Sequence, residues 1–452
     1  MKKFILLLAS ILALLACVPE ASALPLFARQ TGFACSACHF QHFPLLNSFG
    51  RSFKANGYTF VGSQEKVVEE GSLSIPAGLN FAGLTSFGYE KSNISPGTAA
   101  ATHNTGNGIF YLPGVNGEAS LFFGGHVSDF AGALAEVTLG GPNGALGSLK
   151  LPILFEVADA TRVGVVPFAT DAQGPSYTME LLNTGANAVH QISNTPGFNN
   201  AYAAALSAQQ YIGTGGTANG FGLVATNPLG FVNLTKYSQT GTTGGTAASL
   251  GSTYTRAAST FDLANWDVGV GVQYWGGDSL WSSDANNPPT VGTNAFPTPT
   301  LLQLQQTKAT AIDGQLQGEL QGMPVGFYAS YATAPAADPG TDPNTYNGGT
   351  LRRSSFNISG ELGVIPQVAT VAAAVRRANS GTQLAPGGSN LKDNALFLTG
   401  TYKLQQNMLA RLSWVKNTGN FYDAPNAGAN GATTNAQVFG TRTFTFNMYV
   451  LF

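Results

Sequence analysis

The 452-residue sequence predicts a mainly β protein: a transmembrane antiparallel β-barrel of about 16 strands, with a small N-terminal α-helical segment plugging or lining its lumen. Three observations predict it. Apolar residues recur at every second position in many short segments separated by turns or long polar stretches. Charged residues make up 10% of the chain, against about 25% in ordinary soluble domains. The C-terminal run Phe444, Phe446, Met448, Val450 and Phe452 alternates to an aromatic last residue, which a soluble sheet would expose as a sticky edge and a barrel closes against its first strand.

Residues 1–23 read as a secretory signal peptide. Lys2 and Lys3 precede an apolar run, Phe4 to Ala16, broken only by Ser10, and Ala21-Ser22-Ala23 is an A-x-A cleavage site. The run is too short to span a membrane. Leu14-Leu15-Ala16-Cys17 loosely resembles a lipobox, so lipidation of Cys17 stays open here. Cleavage after Ala23 leaves two of the three cysteines, Cys35 and Cys38.

Residues 24–65 form the second unit. Cys35, Cys38 and His39 read C-x-x-C-H. A disulfide across so small a loop stabilises little. Zinc would need a second ligand pair, which is missing, and a thioredoxin-like site needs an α/β context. The pattern points to one covalent haem c, with thioethers from both cysteines and His39 as proximal iron ligand. Phe27, Phe33, Phe40, Phe43, Phe49, Phe53 and Phe60 supply the apolar cover that such a flat group requires. Leu46, Phe49 and Phe53 share one helical face, so Pro44 to Ala55 is expected to be a short helix ended by Asn56-Gly57. Arg51 and Lys54 lie off that face, toward haem propionates or toward solvent. About forty residues are too few to fold alone, so the rest of the chain must cap them.

Residues 66–452 carry the barrel pattern. Trp266, Val268, Val270, Val272 and Tyr274 alternate with Asp267, Gly269, Gly271 and Gln273. Val325, Phe327, Ala329 and Tyr331 repeat the rhythm. So do Leu396, Leu398, Tyr402 and Leu404, then Met408, Ala410, Leu412 and Trp414 after the turn Gln405-Gln406-Asn407, and Ala131, Ala133, Ala135, Val137 and Leu139. Long polar stretches at Ser95–Gly108, Thr170–Gly220, Ser238–Thr255, Asp284–Thr300, Ala334–Thr350 and Gly419–Asn435 are expected to be extracellular loops. No long apolar run predicts a membrane helix after residue 23. A formal net charge of -2 gives no field for nucleic acid.

The run "LPLFARQTGFACSACHFQHFPLLNSFGRSFKANGY", with "HVSDFAGALAEV", "ELGVIPQVATVAAAVRRA" and "DNALFLTGTYKLQQNMLARLSW" in the body, resembles the fused outer-membrane monohaem cytochrome c–porins of iron(II)-oxidising bacteria. The N-terminal likeness is close and the body likeness looser. The resemblance implies an outer-membrane electron conduit in a Gram-negative envelope. It would oxidise extracellular Fe(II) through Cys35, Cys38, His39 and their haem, then pass the electron to a periplasmic c-type cytochrome or cupredoxin. The alternatives are a conduit with another donor or one exporting electrons, and a solute porin with a structural haem plug.

The sixth iron ligand is the open position. His42 is too close in sequence to His39 to reach the opposite haem face. It is read as a propionate or backbone hydrogen-bond partner, or as a redox-linked proton acceptor. Met408 and Met448 share faces with lipid-facing residues, Met323 adjoins a proline, and Met179, His103 and His190 fall in loops. His126 shares a face with Gly124 and Ser128, opposite Leu121, Phe123 and Val127, which points it into the lumen. It is the candidate sixth ligand. The competing readings are a hydrogen-bonded lumen histidine and an open iron.

Overall fold

The computed structural model describes residues 25–60, 66–70, 73–76, 80–94, 108–114, 116–139, 146–185, 206–239, 250–282, 302–338, 342–425 and 434–452. The signal-peptide and Cys17 readings, and His103 and His190, lie outside the described residues.

Sixteen antiparallel strands close into a barrel, counting interrupted strands once. They are β1 (Phe81–Ser92), β2 (Ile109–Pro113 continued by Ala119–Ser128), β3 (Ala131–Thr138) and β4 (Leu146–Lys150 continued by Ile153–Ala158). Next come β5 (Thr161–Thr170), β6 (Ala218–Asn227), β7 (Gly230–Ser238) and β8 (Ser252–Leu263). Then follow β9 (Trp266–Ser282), β10 (Leu302–Gln306 continued by Ala309–Leu320), β11 (Met323–Ala334) and β12 (Arg353–Ile365). The last are β13 (Ala369–Ser380), β14 (Asn394–Gln405), β15 (Met408–Thr418) and β16 (Arg442–Leu451).

The period-two pattern sorts side chains between lipid and lumen. On β9, Val272 and Tyr274 are 55% and 52% exposed while Gln273 between them is 3% exposed. The same holds around the ring: Phe327, Leu398, Leu412 and Phe444 face outward, whereas Tyr328, Arg411, Thr443 and Asn447 are buried inside. An apolar outer face on a closed sheet leaves no backbone edge in hydrocarbon. The chain is therefore a barrel of the Gram-negative outer membrane. Met408 and Met448 lie on the half-buried outward register, as the alternation predicts.

Closure occurs between the last strand and the first. β16 pairs with β1 from Thr443↔Ser92 to Leu451↔Leu84. Phe452 and Gly83 then exchange backbone hydrogen bonds of 3.0 and 2.7 Å. The Phe452 ring packs over Gly83, in the space a side chain there would take.

Short turns gather at one end: Asp129-Phe130, Asp159-Ala160, Pro228-Leu229, Ala264-Asn265, Gln321-Gly322, Pro366–Val368 and Gln406-Asn407. In outer-membrane barrels the short turns are periplasmic and the long loops extracellular, which sets the orientation.

Two expectations change. Lys66–Glu70 and Leu73–Pro76 form a separate two-stranded hairpin, so the barrel begins at Phe81 and not at residue 66. The stretch Thr170–Gly220 is not simply an extracellular loop. Its described parts turn inward: Met179, Leu181 and Leu182 pack against Leu154, Val166, Val224 and Phe231, and helix α4 (Ala208–Ile212) packs on β11 and β12. Burial of these apolar side chains drives the turn, and an apolar cluster inside a mostly polar stretch is what a composition-based reading averages away.

Two buried lumen arginines are paired with carboxylates. Arg256 bridges Glu180 and Asp313, and Arg376 meets Asp393 at 2.7 Å. Placing Arg at Val272, near the midplane of the lipid face, is expected to cost about 2–4 kcal/mol. Equilibrium unfolding from lipid vesicles measures this, with an uncharged polar substitution at the inward neighbour Gln273 as the comparison.

Candidate functional site

Three short helices carry the N-terminal segment: α1 (Pro25–Thr31), α2 (Cys35–Cys38) and α3 (Ser48–Ala55). α2 is a single turn, and neither of its cysteines is in a disulfide. The chain then doubles back, with Phe40 N–H donating to Leu45 O at 3.0 Å and Asn47 N–H to Cys38 O at 3.0 Å. The Asn47 side chain accepts from Gly50 N at 2.9 Å, capping α3, and donates to Ala37 O at 3.0 Å. A side chain at Gly50 would clash with Cys38 O. One asparagine and one glycine thus fix α2 against α3. The helix expected from Pro44 begins at Ser48, because Leu45 and Leu46 are held extended against Phe40 and His39.

His39 Nδ1 lies 3.0 Å from Leu45 O. A carbonyl can only accept, so Nδ1 carries the proton and the Nε2 lone pair is left for a metal. Burial pushes the imidazole down to about 4, which keeps it neutral. Burial also pushes the thiol of Cys35 up, and that of Cys38 up to about 11.

Cys35, Cys38 and His39 open onto one cavity of about 160 Å³. Phe27, Phe33, Phe43, Leu46, Phe49 and Phe53 line it. The rings interlock: Phe27 stacks on Tyr58 at 5.1 Å and meets Phe53 edge-on at 5.3 Å, while Phe33 meets Phe49 at 5.6 Å. Lys54, Tyr58, Lys150, Tyr177 and Glu180 form another part of the wall. Two thiols one turn apart and outside any disulfide, an imidazole oriented through Nδ1 and an aromatic-lined slot with two lysines together fit a covalently attached haem.

The segment touches the barrel wall nearly all around the ring. Arg29 donates to Phe81 O on β1 at 2.9 Å. Arg51 meets Asp267 of β9 at 2.6 and 2.7 Å, and Leu45 packs on Tyr328 and Ala372 of β11 and β13. His42 Nε2 lies 2.5 Å from Glu361 Oε1 of β12, and its Nδ1 lies 2.7 Å from Phe43 O. Both ring nitrogens are therefore engaged, one by a backbone carbonyl and one by the wall carboxylate. Asn183 of the inward loop exchanges hydrogen bonds of 2.8 and 2.9 Å with the backbone of Leu46. Cys35, Gln41 and His42 lie beside Gln367, Lys403 and Gln406. Gln367 and Gln406 sit in the short turns, which places the segment at the periplasmic mouth.

Of the side chains singled out in the sequence, Cys35, Cys38, His39 and Lys54 share the cavity. Arg51 does not: its charge is taken by Asp267, so it is withdrawn from the propionate reading. His126 is buried and faces inward, as its register predicts, with Nε2 3.8 Å from Asp129 Oδ1. It stands beside α1 and is not among the residues that line the cavity. Met179 is buried with Leu154, Val166 and Phe231 on the neighbouring wall. Lys150, Tyr177, Glu180 and Asn183 were not found by sequence reasoning. The only signal was Lys150 itself, a lone cation at an inward register between Leu149 and Leu151.

No protein-family model and no curated protein matches the chain. Solved outer-membrane barrels do. OmpT of Vibrio cholerae aligns at 10% identity and a TM-score of 0.45, over 86% of this chain and 100% of that one. The channel DcaP of Acinetobacter baumannii aligns at 11% identity and 0.47, over 83% and 97%. Salmonella typhi OmpF, in complex with daunomycin, aligns at 10% identity and 0.47, over 85% and 99%. Likeness at this level says nothing of what the lumen holds.

Asn183→Ala removes both side-chain bonds to Leu46 and leaves two buried backbone groups without partners, at a cost of about 1–3 kcal/mol each. Limited proteolysis of the folded protein is expected to cut the N-terminal segment faster in this variant, with the barrel intact.

Proposed function

We propose that this barrel is an electron conduit of the outer membrane, holding one covalent haem c on Cys35 and Cys38 with His39 as proximal ligand. The single observation that carries the reading is the shared cavity: two thiols outside any disulfide and an imidazole oriented by a backbone carbonyl face the same aromatic-lined slot inside a closed barrel. A haem bound there supplies reversible one-electron chemistry.

The chain's own residues do the rest. Asn47 and Gly50 hold the two thiols and the imidazole in one register. Leu45 O fixes the imidazole tautomer. The phenylalanines keep water from the slot, and low dielectric limits the reorganisation that accompanies electron transfer. Arg51, His42 and Leu45 bind the segment to the wall, and the inward loop covers it through Asn183.

Position also matters. The hydrocarbon layer is about 30 Å thick, too wide for one efficient tunnelling step. A redox group at the periplasmic mouth leaves a short leg to a soluble carrier. We assign the carrier as a periplasmic c-type cytochrome or cupredoxin, and the donor as extracellular Fe(II), on the resemblance to iron-oxidising cytochrome–porins.

Protein purified from outer membranes is expected to give a thioether-haem spectrum in alkaline pyridine, at one haem per chain, lost in Cys35→Ala/Cys38→Ala. Stopped-flow mixing with Fe(II) is expected to raise the reduced-haem α-band. A haem that stays oxidised with Fe(II) yet accepts an electron from dithionite removes iron as donor. Absence of thioether haem removes the conduit.

A further inference from the structure

We infer that Lys54 and Lys150 form a two-ammonium clamp for the propionate edge of the bound tetrapyrrole, one ammonium from the plug and one from the barrel wall. The inference rests on the haem reading above and assigns residues that reading leaves unassigned.

The argument starts from charge. The cavity wall carries two lysines and one carboxylate, Glu180. Arg256, whose Nε and Nη2 lie 3.0 and 3.2 Å from the two oxygens of Glu180, is shared with Asp313. Lys54, Lys150 and Arg256 against Glu180 and Asp313 leave one formal positive charge beside an otherwise apolar space. Lys150 is 2% exposed, and its Nζ donates to Tyr177 O at 2.8 Å. Its ammonium also stands 4.2 Å from the Tyr177 ring centroid and 5.5 Å from that of Tyr58. An ammonium has three N–H donors, so further capacity remains for an anion. Burial pushes Lys54 down to about 8, with Glu180 pulling the other way. Buried charge of one sign calls for a counter-charge.

Location then selects the anion. The Cys35 thiol lies beside the β14–β15 turn, next to Lys403 and Gln406. Lys150 is on β4, six strands away around the ring. Thioethers form at the vinyl edge of haem, and its two carboxylates occupy the opposite edge. Cys35 beside that turn and Lys150 across the ring share one aromatic-lined cavity, which matches that polarity, and Lys54 opens onto the same cavity. Because the clamp draws one lysine from each part of the chain, the bound group also ties the plug to the wall.

The test uses the full-length holoprotein in detergent, with Lys54→Gln, Lys150→Gln, the double variant, the Lys→Arg pair and Lys403→Gln. Haem content is set by the alkaline pyridine spectrum. The readouts are the propionate bending band in resonance Raman and the midpoint potential. Each Gln variant is expected to shift the band and lower the potential, the double variant more, while the Arg pair keeps both near wild type. Lys403→Gln is expected to leave the band unchanged.

Full haem content with wild-type band and potential in the double variant overturns the clamp. So does a band moved by Lys403→Gln alone, or a changed iron ligand field in a Lys54 or Lys150 variant, which would make that amine an iron ligand. Wild-type protein without thioether haem overturns the functional reading itself, a separate failure.

Discussion

Within a bilayer every backbone N–H and C=O must find a partner in the protein. This chain meets that constraint by joining its last strand to its first, from Thr443↔Ser92 to the reciprocal bonds of Phe452 with Gly83. Closure makes the lumen a space separate from lipid. Only there can an irregular segment such as 25–60, with its one-turn helix and extended Leu45-Leu46, sit at membrane depth. The low charge content follows from the same condition. Outward positions must be apolar, and several inward charges stand opposite a partner, as Arg256 and Arg376 do.

Plug, wall and inward loop form one interlocked polar network. Arg51 with Asp267, His42 with Glu361, and Asn183 with Leu46 each join residues far apart in the chain. Arg256 lies fully buried between Glu180 and Asp313 and connects the inward loop to β8 and β10. Pairs of this kind contribute little net stability, yet loss of one partner leaves an uncompensated buried charge and is costly. They act as locks on position. The aromatic slot inherits its geometry from them, since α2 and α3 carry only a few contacts of their own.

The sequence made some of this legible and hid the rest. Alternation is a local property, so it located Val268 through Tyr274, Met408 through Trp414 and the closing run Phe444 to Phe452 on the outer face. C-x-x-C-H is likewise local and picked out Cys35, Cys38 and His39. Register told which way His126 points, but not how far around the ring or along the axis it stands from the cavity. Arg51 and Lys54 look alike on a helical wheel, and only the placement of Asp267 on β9 separates them. Lys150, Tyr177, Glu180 and Asn183 come from a strand and a loop more than a hundred residues from much of what they meet. No spacing rule links them. The inward turn of 171–185 was hidden because Met179, Leu181 and Leu182 are diluted among small polar residues.

The central claim is that charge crosses this barrel while solutes do not, because residues 25–60 occupy its mouth and carry the redox group. Proteoliposomes with an impermeant oxidant inside and Fe(II) outside test it most directly, run beside sugar-swelling assays on the same vesicles. The account predicts oxidant reduction that depends on Cys35 and Cys38, with no swelling beyond that of empty vesicles. Swelling at the rate of an open porin, with the internal oxidant untouched, would contradict it.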